Sequence, residues 1–329
     1  MNIITIPGWV DLQVNGYKGV NFSDPSLALE DIHTVSSELL KNGTIAYCPT
    51  IISSPLEVYQ HNLPLIADAM RQNSGAEILG AHIEGPFINP EEGVRGIHLK
   101  NNIFPPIIET FKKILNWSKD IISIITLAPE IQGSIQLIEY IVNNTDIIVS
   151  VGHSMAKSDD IKAAIEAGAK AATHVGNGIP PYIPRHNNPL WSILAEERIY
   201  GLFITDGFHI PPDFIKVCLK AKGINKFIVT SDLTHFAGLK PGPYSFYNTK
   251  IILEINGFIH KENSELLAGS TKTMMECMNY VASILQLNEI EYYKIGFENP
   301  LKLINKTLKN NKFFKIVFQN NKFHLINEY

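Results

Sequence analysis

Residues 147–175 read IIVSVGHSMAKSDDIKAAIEAGAKAATHV. The β-branched run Ile147–Gly152 predicts a buried strand that ends in His153-Ser154. Asp159–Ala167 then carries apolar residues at helical spacing, Gly168 punctuates, and Ala171–Val175 is a second apolar strand holding Thr173-His174. A strand, a helix and a strand within about thirty residues form a parallel βαβ unit. The same alternation runs through the neighbouring sequence. Strands are expected at Trp9–Val14, Thr44–Pro49, Ile78–Glu84, Ile121–Leu127, Tyr200–Thr205 and Lys226–Ser231. Helices are expected at Leu27–Leu40, Leu56–Arg71, Leu190–Glu197 and Pro211–Lys222. Eight such strands are the number that closes a TIM (β/α)8 barrel. A doubly wound open sheet is the alternative, weakened because no GxGxxG or P-loop stretch follows any of the strands.

The 329 residues carry 28 Lys and Arg against 32 Asp and Glu, a net charge of −4, with 45% hydrophobic and 9% aromatic content. That composition excludes a disordered chain, and it offers no cationic excess for nucleic acid. No apolar run is long enough to span a bilayer, and Met1–Pro7 lacks the basic and apolar regions of a secretory signal. Cys48, Cys218 and Cys277 are odd in number and widely spaced, which fits neither a disulfide framework nor a CxxC metal site. A cytoplasmic protein of α/β class is expected, without a nucleic-acid or membrane partner.

After the eighth strand the pattern changes. Tyr244–Glu254 and Phe258–His260, joined through Asn256-Gly257, predict a hairpin, and Phe313–Phe318 with Lys322–Ile326 around Asn320-Asn321 predict another. Helical segments lie between them, near Thr271–Leu285, Asn288–Ile295 and Pro300–Asn305. The expected division is a catalytic barrel over residues 1–240 and 266–306, with small satellite β-structure over 241–265 and 307–329.

In a barrel the carboxyl ends of the strands open onto one mouth. Here those ends carry Gln13-Val14-Asn15, His82-Ile83-Glu84, Gly152-His153, Thr173-His174, Asp206-Gly207-Phe208-His209 and Ser231-Asp232. One such residue alone is ordinarily a hydrogen-bonded polar group. Several on different strands are hard to explain by packing, because buried charge needs partners. A catalytic zinc site needs three protein ligands and an open position, which Glu84, His153 and His174 can supply. Asp232 is then free to act as general base. His82 lies on the same side of its strand as Glu84 but one layer deeper, where a supporting role is expected.

Pro7-Gly8-Trp9-Val10-Asp11-Leu12-Gln13-Val14-Asn15-Gly16, His82-Ile83-Glu84-Gly85-Pro86-Phe87, Gly96-Ile97-His98, Leu127-Ala128-Pro129-Glu130, Gly152-His153-Ser154, Asp206-Gly207-Phe208-His209, Thr230-Ser231-Asp232 and Leu267-Ala268-Gly269-Ser270 occur in one order along the chain. As an ordered set they resemble the N-acetylglucosamine-6-phosphate deacetylase family of the amidohydrolase superfamily. The resemblance implies a TIM barrel of the metal-dependent amidohydrolase type with a reduced β-sandwich-like appendage. Family members usually begin with a longer segment that forms half of a β-sandwich, and strand one here starts at residue 9, so that half is expected to be absent. The resemblance also implies hydrolysis of the N-acetyl amide of an amino-sugar phosphate. It assigns Glu84, His153 and His174 to the metal and Asp232 to acid/base catalysis. Ile97, His98, Asn177, Gly178, Asp206, His209, Leu267, Ala268 and Gly269 fall on its substrate-contacting positions. Arg185 falls on a phosphate-binding Arg that reaches across a dimer interface, so a homodimer is expected. Many amidohydrolases have HxH on strand one. Gln13-Val14-Asn15 stands there instead, and amides are poor zinc ligands, so one divalent ion per chain is expected, zinc or alternatively iron(II) or another divalent metal.

The chain departs from the family at Asn177-Gly178-Ile179, at the residues following Arg185, and at Leu233-Thr234-His235-Phe236, where small residues are usual. Bulk beside Asp232 leaves three readings open: another N-acetyl sugar as substrate, a different amide hydrolysed on the same metal site, or a non-catalytic sugar-phosphate sensor.

Overall fold

A computed structural model describes residues 4–72, 75–247, 249–264, 266–309 and 315–326. Eight parallel strands run in sequence order: Trp9–Val14, Thr44–Ile52, Ala81–Glu84, Ile122–Leu127, Ile148–Val151, Ala171–Ala172, Tyr200–Ile204 and Phe227–Thr230. They are barrel strands one to eight. Each pairs with the next, with Glu84 opposite Thr126 and Ala172 opposite Val151. Nearly every strand residue is buried, because helices cover the outside and side chains fill the bore. The fold is a TIM-type barrel.

Alternate residues along the strands divide between two cores. Ile83, Ile125, Val149, Phe203 and Val229 face outward against the helices. Val10, Leu12, Cys48, Ile124, Ile148, Leu202 and Ile228 form the second core, which Phe297, Leu303 and Ile304 from the late helical segment join. Eight helices lie near their expected positions. Ile108–Trp117 and Ser134–Asn144 were not expected, the first concealed by Pro105-Pro106 immediately upstream and the second by its short apolar repeat following Gly133.

Strands eight and one meet differently from the other neighbours. Among the described residues no ladder joins them, only a single bridge between Val14 and Leu233. Side chains and loop backbone close this seam.

The two late hairpins belong to separate sheets. Lys315–Gln319 and Lys322–Ile326 pair through a turn at Asn320 and Asn321, both at positive φ, and Ile4–Ile6 adds a third strand. The residues expected to start that hairpin, at Phe313, lie outside the described residues. Gly242–Phe246, Thr249–Leu253 and Ile259–Lys261 make the other sheet. Its inner face, through Phe246, Ile251, Leu253 and Ile259, forms a third core with Ile52, Phe236 and Ala268. Among the described residues no helix is long and apolar enough to cross a membrane.

Candidate metal centre and active-site cavity

The strand ends converge on a cavity of about 260 Å3. Glu84 leaves strand three with its side chain into the mouth, and His153 and His174 follow strands five and six by two residues each. Both histidines and Asp232 have positive φ, at 48°, 31° and 52°. Side chains with a Cβ occupy that region at a cost of roughly 1–3 kcal/mol each, so the surroundings must enforce it. Around His153 they visibly do. Its carbonyl accepts from the Asn89 amide at 3.0 Å, and the next amide, Ser154, donates to Gly178 at 2.9 Å. Glu130 ties the same loop down, accepting from Asn89 Nδ2, Ser154 Oγ and the Met155 amide at 2.6–2.8 Å.

Glu84 Oε1 lies 2.9 Å from His174 Nε2 and 3.3 Å from His153 Nε2, and the two nitrogens are 3.1 Å apart. The Val94 carbonyl sits 2.7 Å from His153 Nδ1 and can only accept, so that nitrogen holds the proton and Nε2 offers a lone pair. Two acceptors then face one another across 3.3 Å, an arrangement that calls for a cation between them. A tetrahedral ion with bonds near 2.05 Å would hold its ligands about 3.3 Å apart. Glu84, His153 and His174, all buried, thus form a group that can hold a metal ion. Burial pushes the Glu84 carboxyl up, but the imidazoles of His153, His174 and His98 around it outweigh that and hold it well below the usual carboxylate range.

Gln13 and Asn15 occupy the strand-one positions without completing a second ligand set. Gln13 Nε2 donates to Glu84 Oε1 at 2.7 Å, and Asn15 Nδ2 donates to Asp232 Oδ1 at 2.7 Å. Asp232 is buried, and burial, followed by the charge of Glu84, pushes it up to about 8. His98 arrives on the loop after strand three. Its Nδ1 accepts from the Ser53 amide at 3.3 Å, so the proton sits on Nε2, which stands 3.7 Å from Glu84 Oε2. Burial, then the neighbouring His153, lowers His98 to about 4, which makes it a neutral donor at neutral pH. His82 lies deeper. It is held between the Leu12 carbonyl at 3.0 Å and the Thr126 hydroxyl at 2.7 Å, and burial lowers it to about 4.

The N-acetylglucosamine-6-phosphate deacetylase of Danio rerio is 31% identical over 296 residues, spanning 85% of this chain and 70% of its own length. The enzyme of that name from Bacillus subtilis is 31% identical over 303 residues, 91% of this chain and 75% of its own. The chain belongs to the N-acetylglucosamine-6-phosphate deacetylase family. No family model matches it. The crystal structure of the Pasteurella multocida deacetylase superposes with a TM-score of 0.85 at 29% identity, covering 98% of this chain and 84% of the other. That of the Mycobacterium smegmatis protein superposes at 0.88 with 21% identity and speaks to the fold alone.

Within this family frame, most of the residues singled out in the sequence meet at the cavity. Glu84, His153, His174, Asp232, Ile97, His98, Asn177, Gly178, His209, Leu267 and Gly269 all line it. Three do not. Asp206 stands behind His209, accepting from its Nδ1 at 2.7 Å and from its backbone amide at 2.9 Å. Burial raises the Asp206 carboxyl, but the His209 contact outweighs that and leaves it lowered. Ala268 is buried in the core beneath the hairpin sheet. Arg185 is exposed on the loop after strand six, where its carbonyl accepts from the Trp191 indole at 2.9 Å. The sequence reading missed Asn21, Ile52 and Phe246 as lining residues. Only the alternation within the hairpin sheet could have marked Phe246. His235 and Phe236, noted for their bulk, do form one wall, their rings 3.9 Å apart and Phe246 5.2 Å beyond His235.

Proposed function

We propose that this chain is a metal-dependent amide hydrolase that cleaves the N-acetyl group of N-acetylglucosamine 6-phosphate, giving acetate and glucosamine 6-phosphate. The observation that carries the reading is one cavity in which Glu84, His153 and His174 face Asp232; family membership supplies the substrate. Two imidazoles and a carboxylate suit zinc, with iron(II) the alternative. Bound there, one divalent ion would supply Lewis acidity and make a water easier to deprotonate.

Asp232 handles the proton. Asn15 occupies Oδ1, so Oδ2 takes the proton of the water that attacks the acetyl carbon. The same oxygen returns that proton to the sugar nitrogen as the C–N bond breaks, because an amide anion is too poor a leaving group to depart unprotonated. Burial makes this carboxylate a stronger base than an exposed one, and beside a divalent ion held by Glu84, His153 and His174 it would stay ionised until it takes the water's proton. Neutral His98 donates Nε2–H to the acetyl oxygen as negative charge builds on it. His209, oriented by Asp206, faces the sugar with Nε2, and Asn177, Gly178, Ile97, Leu267 and Gly269 shape the remainder of the pocket.

Among the described residues no Lys or Arg lines the cavity. We assign the phosphate to Arg185 of a second copy in a homodimer, a guanidinium being suited to a phosphate dianion. The exposure of the Arg185 loop, with Tyr182 at 92% and Trp191 at 52%, supports that reading. Three buried free thiols support a cytoplasmic setting. The test is acetate release by the zinc-loaded protein from N-acetylated amino sugars with and without a 6-phosphate. A clear preference for N-acetylglucosamine 6-phosphate is expected. No release from it, or equal release from the unphosphorylated sugar, overturns the substrate assignment.

A further inference from the structure

The reading of Asp232 as general base leaves open what holds it in its left-handed backbone conformation. Three of its anchors come from one stretch, residues 11–16, in strand one and immediately after it, across the seam that lacks a ladder. The side chain is held by Asn15 Nδ2. The following residue is held through its carbonyl, Leu233 O accepting from the Asn15 amide at 2.7 Å and the Gly16 amide at 3.2 Å. The preceding residues are held by Asp11. Asp11 Oδ1 accepts from Thr230 Oγ1 at 2.8 Å and from the Ser231 amide at 3.2 Å, and Oδ2 accepts from Ser231 Oγ. The Gln13 amide, at 3.2 Å, also donates to Oδ1. Asp11 is 1% exposed and is not among the residues that line the cavity.

We propose that Asp11 is a positioning residue for Asp232. This inference rests on the catalytic reading above and goes beyond it. Where other neighbouring strands are tied by backbone ladders, this carboxylate ties strand one to the end of strand eight. It fixes the two residues on which the Asp232 backbone turns. If that contact is lost, Asp232 moves relative to the attacking water, while Glu84, His153 and His174, on strands three, five and six, stay in place. A displacement of about 1 Å in a reacting group can lower turnover by roughly a hundredfold.

The test is a set of zinc-loaded variants compared with wild type for kcat, KM, bound zinc and thermal midpoint. Asp11→Ala is expected to lower kcat by at least about thirtyfold, with KM and zinc per chain within about twofold of wild type. Asp11→Asn keeps an acceptor on one oxygen and is expected to recover kcat to within about fivefold. The double variant Thr230→Val, Ser231→Ala removes the two hydroxyl bonds from the opposite side, leaving the backbone amide of residue 231 on Asp11, and should lower kcat by at least about tenfold with KM and zinc unchanged, including in the event that Asp11→Ala does not fold. A folded Asp11→Ala or double variant with kcat within threefold of wild type overturns the proposal. So does a fall in kcat matched by loss of zinc, since that is a structural effect on the whole site. Wild-type protein that releases no acetate refutes the catalytic reading instead.

Discussion

Asp232→Asn separates what the proposed acid/base residue contributes to chemistry from what it costs the fold. The buried carboxyl is pushed up from 3.8 to about 8, by burial first and the Glu84 charge second. At pH 7 the unfolded chain has this group ionised and the folded chain keeps it protonated. With about 1.4 kcal/mol for each factor of ten in the ionisation constant, holding it in the metal-free fold costs on the order of 4 kcal/mol at pH 7. A carboxyl whose folded pKa is raised has its full stability below 3.8, and that stability drains away as pH rises through about 8. Asparagine has no such ionisation, and its Oδ1 still accepts from Asn15. Chelator-treated Asp232→Asn should match wild type in denaturant near pH 4, gain steadily as pH rises, and level off above about 8. Zinc-loaded, the same variant should lose at least about a thousandfold in kcat. A stability difference that does not change with pH refutes the electrostatic account of the site. Near-normal turnover removes Asp232 from the mechanism.

Removing the ion with a chelator should abolish acetate release and lower the thermal midpoint, and one equivalent of zinc per chain should restore both. Full activity in chelated protein would rule out a metal role for Glu84, His153 and His174. His98→Ala should lower kcat by about a hundredfold through loss of the Nε2 donor, with bound zinc unchanged; a loss of zinc instead would make His98 part of the metal site. Arg185→Ala should raise KM at least about tenfold for the phosphorylated sugar and leave the unphosphorylated one untouched, and an equal effect on both would dissociate Arg185 from the phosphate. Phe236→Ala removes a ring that is 2% exposed and should cost about 3–5 kcal/mol in denaturant titration, so a cost below about 1 kcal/mol would show that this wall does not carry the third core.

The barrel was legible because parallel strands buried on both faces must be apolar runs, and because chemistry at their carboxyl ends interrupts those runs with His, Glu and Asp. Ile148–Val151 ending near His153 and Phe227–Thr230 ending near Asp232 show both halves of that signal. Helix Ile108–Trp117 was hidden because Pro105-Pro106 looks like a loop that never ends. The sequence reads Tyr244–Glu254 as one strand, whereas the structure folds 242–253 into a hairpin, because the turn falls at Tyr247, whose positive φ no glycine announces. Nothing local in the sequence marks the role of Asp11, because its partners Thr230 and Ser231 lie about 220 residues away. Arg185 shows the opposite limit. A motif match named its chemistry, but a single chain leaves that guanidinium outside the cavity.

The hairpin sheet at 242–261 has a consequence for how this scaffold changes specificity. Its own small core, built on Phe246, Ile251, Leu253 and Ile259, carries one wall of the cavity, and the metal group stands on barrel strands that do not depend on it. Part of the cavity wall and the metal group are therefore carried by separable parts of one chain. Substitutions in that sheet can reshape the sugar pocket and retune substrate choice while the hydrolytic centre stays intact, which makes it the natural target for redirecting the enzyme to other N-acylated sugars.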